Sequence, residues 1–172
     1  MSEQPIPHND STPIPPAGDH WSWINATLKS STADWLIVLG HYPVWSIAEH
    51  GSTTCLVESL KPVLQQFKVS MYINGHDHNL QFLDDGTSIA YIDCGAGHES
   101  DTSQQHNGTV PEGSSKYFAA PPLGGFCHLE LTDANSATIN FWAGTDNTSP
   151  LLNHTVKWPN PRVSKSKSSR FE

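Results

Sequence analysis

Charge is scarce in this 172-residue chain: only 15% of residues are Asp, Glu, Lys or Arg, against about 25% in an ordinary globular domain. Apolar residues are also thin at 36%, the balance going to Ser, Thr, Asn, Gln, Pro and Gly. The longest apolar run, Trp35 to Leu39, falls far short of the roughly 20 residues a bilayer requires, which excludes a membrane-spanning helix. Basic residues are few, and a net charge of −8 lacks the positive footprint that nucleic-acid backbones demand. Cysteine is sparse too. Cys55, Cys94 and Cys127 have no CxxC spacing, which excludes both a zinc-ribbon site and a disulfide-dense miniprotein, and at least one must be unpaired within the chain.

What is present in excess is histidine, ten residues against nine Lys plus Arg. Imidazole is the commonest metal ligand and the side chain that titrates near neutrality. N-x-[ST] triplets, among them those at Asn25, Asn107, Asn147 and Asn153, are candidate glycosylation acceptors and point to the secretory pathway, for a lysosomal or extracellular protein. The first ten residues hold no apolar signal segment. Both observations agree if the chain is the downstream part of a longer protein.

Five prolines between residues 5 and 16 predict a flexible leader over residues 1–18. Asp19 is placed to cap a helix of about a dozen residues whose apolar stripe is Trp21, Ile24 and Leu28. Trp35 to Leu39 reads as a strand buried on both faces, ending at Gly40-His41. Ser52 or Thr53 caps a second helix with the stripe Leu56, Val57, Leu60, Leu64 and Phe67, which Pro62 kinks. Val69, Met71 and Ile73 alternate with Ser70 and Tyr72 in a strand that runs into Gly75-His76-Asp77-His78-Asn79. Residues 80–93 read as a hairpin about Asp84-Asp85-Gly86, residues 95–124 as a long loop, residues 125–143 as a second hairpin, and residues 146–172 as a polar, basic tail.

A strand–helix–strand order implies parallel pairing, with both carboxyl ends on one edge of the sheet. Ligands of α/β sheets bind beyond that edge. His41, His76 and His78 are therefore candidate metal ligands, and the glycines before His41 and His76 allow the sharp turns such delivery needs. Asp77 and Asn79 are either groups that orient the histidines or turn formers.

The run Gly40-His-Tyr-Pro-Val-Trp-Ser-Ile-Ala-Glu-His50 and the block Gly75-His-Asp-His-Asn79 resemble the last two metal-binding blocks of the calcineurin-like metallophosphoesterases, and more narrowly the small purple, tartrate-resistant acid phosphatases of animals. The similarity extends from about Asp19 to Ala143 and leaves leader and tail without a match. It implies an α/β fold, the C-terminal part of a metallophosphoesterase sandwich in which a βαβ unit is followed by hairpins, with residues 19–145 forming an incomplete domain. It further implies a binuclear centre of Fe(III) plus divalent Fe, Zn or Mn. His41 and His76 would bind the divalent ion, His78 the ferric ion, and His50 would protonate the leaving alcohol of a phosphate monoester. The upstream Asp, Gly-Asp-x-x-Tyr and Gly-Asn-His blocks of complete enzymes do not occur here. Three imidazoles without a bridging carboxylate leave a ferric ion short of compensating charge, so the missing N-terminal half of the domain is the expected partner, and Cys55 is expected to lack its own. A metal- or partner-binding fragment without activity, and a related phosphodiesterase or nucleotidase, are the competing readings.

Overall fold

The computed structural model describes residues 18–144 and 151–163. The leader up to residue 17, Asn147 and the tail beyond 163 lie outside the described residues, as does the side chain of Asp19 that was expected to cap the first helix.

Five strands form the first sheet, in the order β1-β2-β4-β3-β5: β1 (Ile37–Leu39), β2 (Met71–Asn74), β3 (Leu80–Leu83), β4 (Ala90–Cys94) and β5 (Ser115–Ala119). β1 pairs with β2 in parallel, and β2 with β4 likewise, so three carboxyl ends share one edge. β3 returns antiparallel to β4, closing the expected hairpin. The second sheet runs β6 (Gly125–Leu131), β7 (Ser136–Ala143), β8 (Leu151–Pro159), antiparallel throughout.

The first sheet is covered on both faces. Helix α1 (Gly18–Ser30) contributes Leu28, and the second helical segment contributes Leu60 and Leu64, to a cluster with Val69, Tyr72 and Tyr91. On the other face, Met71, Phe82 and Ile92 meet Ile139, Phe141 and Trp158 of the second sheet. Each large side chain removed from water in this way contributes on the order of 1.5–3 kcal/mol. The second helix does not simply kink at Pro62. Leu56–Leu60 forms a π-helical stretch in which Lys61 N–H reaches back to Leu56 O, and α2 (Lys61–Gln66) follows. Proline lacks an N–H and its ring crowds the carbonyl four residues back, and the wider turn accommodates both. Ser52 does not cap this helix: its Oγ accepts the Ser46 N–H instead, while the Thr53 carbonyl takes the N–H groups of Leu56 and Val57.

Four sequence expectations are corrected. Among the described residues β1 is an edge strand rather than one buried on both faces, since β2 is its one strand partner there and Leu39 is 75% exposed. Residues 95–124 are not all loop, because β5 pairs with β3. The stretch assigned to a polar tail contains β8. There Val156 and Trp158 turn inward while Thr155 and Lys157 face solvent. Beyond it, Arg162 is docked rather than solvated. Its guanidinium donates to the carbonyls of Ser31, Ala33 and Phe67, and Asn160 Nδ2 donates to those of Asp34 and Ala134, so the end of the second sheet is tied to the loops that flank β1 and β2.

Cys94 and Cys127 form a disulfide with Cα atoms 5.8 Å apart, across 33 residues of sequence, and Cys55 is free. This bond joins the end of β4 to β6 and closes the segment between them. Loop-closure entropy for that length corresponds to about 3–4 kcal/mol. Cys94→Ser, or a dithiol reductant on the unaltered chain, is expected to lower the unfolding free energy by about that amount. Denaturant midpoints that coincide with and without reductant would contradict the assignment.

Candidate metal centre

The three parallel strand ends converge on one site. Gly40 N–H continues the ladder to Ile73 O, and Gly75 N–H bonds His41 O at 3.2 Å, so the two histidine-bearing turns are stitched together by backbone. Gly40 lies against Tyr72, where an added Cβ would sit 2.1 Å from the phenol oxygen. That hydroxyl donates to Tyr42 O at 2.7 Å, and burial pushes its pKa up to about 12, which keeps it a neutral donor. His76 has φ = +72°, a left-handed conformation that costs a non-glycine residue about 1–3 kcal/mol. Across the turn, Gly95 packs so tightly on Asp77 O that a Cβ there would fall 1.8 Å away.

His41 and His76 are brought together. His76 Nδ1 lies 3.3 Å from His41 Nε2, and the His50 ring lies tilted against His76 with centroids 4.3 Å apart. Two ring nitrogens at that separation subtend roughly 105–110° at a cation about 2.0–2.1 Å from each, as tetrahedral imidazole coordination requires. The separation is compatible with two ligands of one metal. His78 is oriented differently: its Nδ1 lies 3.6 Å from Glu99 Oε2, and Glu99 also lies 3.8 Å from His98 Nδ1. These groups are largely exposed, so their charge pairing is weak. Among the described residues no group of three His, Cys, Asp or Glu side chains is arranged to hold a metal ion. The close approach of His41 and His76 therefore stands as a pair of ring nitrogens.

Asp77 is fully buried and occupied. Its Oδ1 accepts both the main-chain N–H (3.0 Å) and the ring Nδ1–H (2.7 Å) of His50, and its Oδ2 accepts the Ser46 hydroxyl. Asp77 thus holds His50 by both ring and main chain. Asn79 is buried, accepting from Gln81 Nε2 through Oδ1 (2.8 Å) while its Nδ2 has no hydrogen-bond partner. Sequence reasoning missed Ser46, Gln81 and Asp93. Asp93, also buried, accepts from Gly95 N (2.9 Å) and Asn74 Nδ2 (2.8 Å). A segment following β4 covers the His50 loop: His106 donates to Ala48 O, and Gln105 Nε2 to Glu49 O. Of the candidate glycosylation acceptors, Asn107 and Asn153 are exposed, whereas Asn25 is half-buried in α1 with Nδ2 donating to Trp21 O.

Residues 3–80 match the family model described as Calcineurin-like phosphoesterase. The matched range takes in residues 3–18, most of the Pro-rich leader for which no similarity was expected. The chain is 48% identical to tartrate-resistant acid phosphatase type 5 of Oryctolagus cuniculus over 113 residues, which is 64% of this chain and 35% of that protein. Among solved structures it resembles GAP50, the anchor in the inner membrane complex of Plasmodium (TM-score 0.72, 26% identity, 83% of this chain and 42% of that one). It also shares the fold of purple acid phosphatase PPD1 from Lupinus luteus (TM-score 0.62, 17% identity, 81% and 28%). The chain spans 33–40% of the length of the animal acid phosphatases it matches.

Burial first, and then the neighbouring negative charge of Asp77, holds the Asp93 carboxyl well above its ordinary value of 3.8. A folded-state pKa above the unfolded one means the folded state binds the proton more tightly. Stability from this group is full below pH 3.8 and is lost as pH rises toward the folded value. The unaltered chain is expected to lose more stability across that window than Asp93→Asn. Parallel denaturant-midpoint curves for the two between pH 4 and 7 would contradict it.

Proposed function

We propose that the chain is the histidine-bearing part of an acid phosphatase that hydrolyses phosphate monoesters at a binuclear metal centre, and that the remainder of the domain supplies the carboxylates it lacks. The observation that carries this reading is the 3.3 Å approach of His41 Nε2 and His76 Nδ1 beside the ring of His50. His41 and His76 would hold the divalent ion and His78 the ferric ion. A bound metal pair supplies Lewis acidity toward the phosphoryl oxygens and activates a water.

The protein's own part is positional. Asp77, as an acceptor, keeps the proton of a neutral His50 on Nδ1, leaving Nε2 as the atom that takes up and delivers a proton. A protonated His50 beside the ligand pair donates that proton to the departing alkoxide oxygen, which then leaves as an alcohol. Gly40 and Gly75 let the backbone turn so that the rings meet. An apolar groove of about 510 Å³ between α1 and β1, lined by Trp21, Trp23, Ile24, Leu36 and Leu39, together with the edge of β1 that has no strand partner among the described residues, is the surface this reading assigns to the preceding part of the domain. Secretion fits this assignment, with a disulfide of the kind that persists in oxidising compartments and exposed acceptors at Asn107 and Asn153.

A second reading is a metal- or partner-binding fragment without activity. It is favoured by one fact: the described residues contain no complete metal set.

The test uses the longer parent protein, with the preceding part of the domain restored, assayed near pH 5. His76→Ala is expected to abolish hydrolysis of p-nitrophenyl phosphate and of an alkyl phosphate alike. His50→Ala should slow the alkyl ester by about 10²–10⁴-fold and the aryl ester less, because p-nitrophenolate leaves without help from a proton. Equal turnover by the parent and His76→Ala would reject the phosphatase reading, and stoichiometric zinc with no turnover would select the fragment.

A further inference from the structure

Strand β3 is buried along its whole length, and the pattern Leu80, Phe82, Leu83 is what such a strand ordinarily carries. Gln81 breaks it, with no exposed surface. Burying a carboxamide is unfavourable unless its hydrogen bonds are remade inside the protein, so its partners reveal its task. They belong to the site loops. Oε1 accepts the Ile47 N–H at 3.0 Å, and Nε2 donates to Ser46 Oγ at 3.0 Å and to Asn79 Oδ1 at 2.8 Å. Ser46 Oγ in turn accepts the Ala48 N–H at 3.1 Å and donates to Asp77 Oδ2. Asp77 Oδ1 then holds His50 by ring and main chain.

We propose that Gln81 is a positioning residue for His50. Its one carboxamide grips the loop that bears His50 at Ser46 and Ile47, and the loop that bears Asp77 at Asn79, and so fixes the distance across which Asp77 holds the imidazole. The chain of contacts is directional. Nε2 occupies one Ser46 lone pair and the Ala48 N–H the other, so the Ser46 proton is left to point at Asp77. That interaction holds Asp77 in the rotamer facing His50. Gln81 touches no reacting atom and acts through Ser46 and Asp77. The proposal deepens the reading of His50 as proton donor and rests on it for its catalytic meaning.

The measurement is the long-range ¹H–¹⁵N spectrum of the histidine rings in the ¹⁵N-labelled 172-residue chain at pH 8. His50 is expected as a single form protonated on Nδ1. In Gln81→Met, which fills the same space without polar atoms, His50 is expected to lose that signature and give the ordinary mixture of tautomers. His128, on the exposed face of β6, and His154, stacked on Tyr117, should stay unchanged. Ser46→Ala should repeat the loss, and Ser46→Thr, which keeps the hydroxyl, should retain the single form. The proposal is overturned by a parent His50 that is already a mixture, by Gln81→Met retaining the Nδ1-protonated form, or by both Gln81→Met and Ser46→Ala moving His128 and His154 as well, which would show packing alone. Failure of the longer parent to hydrolyse phosphate monoesters would remove the reading of His50 as an acid without altering this spectrum, so the two failures are distinguishable.

Discussion

Backbone hydrogen bonds between β1 and β2 decide what this chain can do. Parallel pairing in the register Leu39 to Ile73 leaves Gly40-His41 and Gly75-His76 within one residue of each other on the same edge, and the bond from Gly75 N–H to His41 O carries the pairing past the strands. Antiparallel pairing would have sent the two histidines to opposite ends of the sheet. The site's other features refine this placement. A left-handed His76, a Gly95 with no room for a side chain and a tyrosine under Gly40 each narrow the freedom of turns the sheet has already aligned.

Behind the histidines lies a buried polar layer. Asp77 and Asp93 are both excluded from water, and a buried carboxylate persists only where donors surround it. Asp77 draws its donors from the His50 loop, Asp93 from Asn74 and the Gly95 turn. Those choices bind three loops from distant parts of the sequence into one rigid floor. Both acids are engaged by donors of this chain, Asp77 by His50 and Ser46 and Asp93 by Asn74 and Gly95.

The parts of this arrangement that depend on local pattern were legible in the sequence. The βαβ order, the two hairpins and the glycines before His41 and His76 all follow from periodicity and turn chemistry, and from these the meeting of two histidines could be deduced. Long-range complementarity was not legible. Ser46 reads as a loop serine and Gln81 as a lapse in an apolar strand until the fold brings these two residues, 35 apart in sequence, to 3.0 Å. β8 did carry a signal, the alternation of Val156 and Trp158 with Thr155 and Lys157, but its polar composition resembled a tail. β5 is a short edge strand in a polar stretch, where period-two patterning has little length in which to appear. Pairing of Cys94 with Cys127 required knowing that β4 and β6 are neighbours.

The central claim is that His41 and His76 act as one pair on one cation. Zinc titration calorimetry of the chain, with His41→Ala, His76→Ala and the double variant, tests it most directly. If the pair is shared, each single substitution removes the tighter binding event and the double substitution costs nothing further. Single variants that each retain the parent's affinity, or losses that simply add in the double variant, would show two independent histidines and contradict the account.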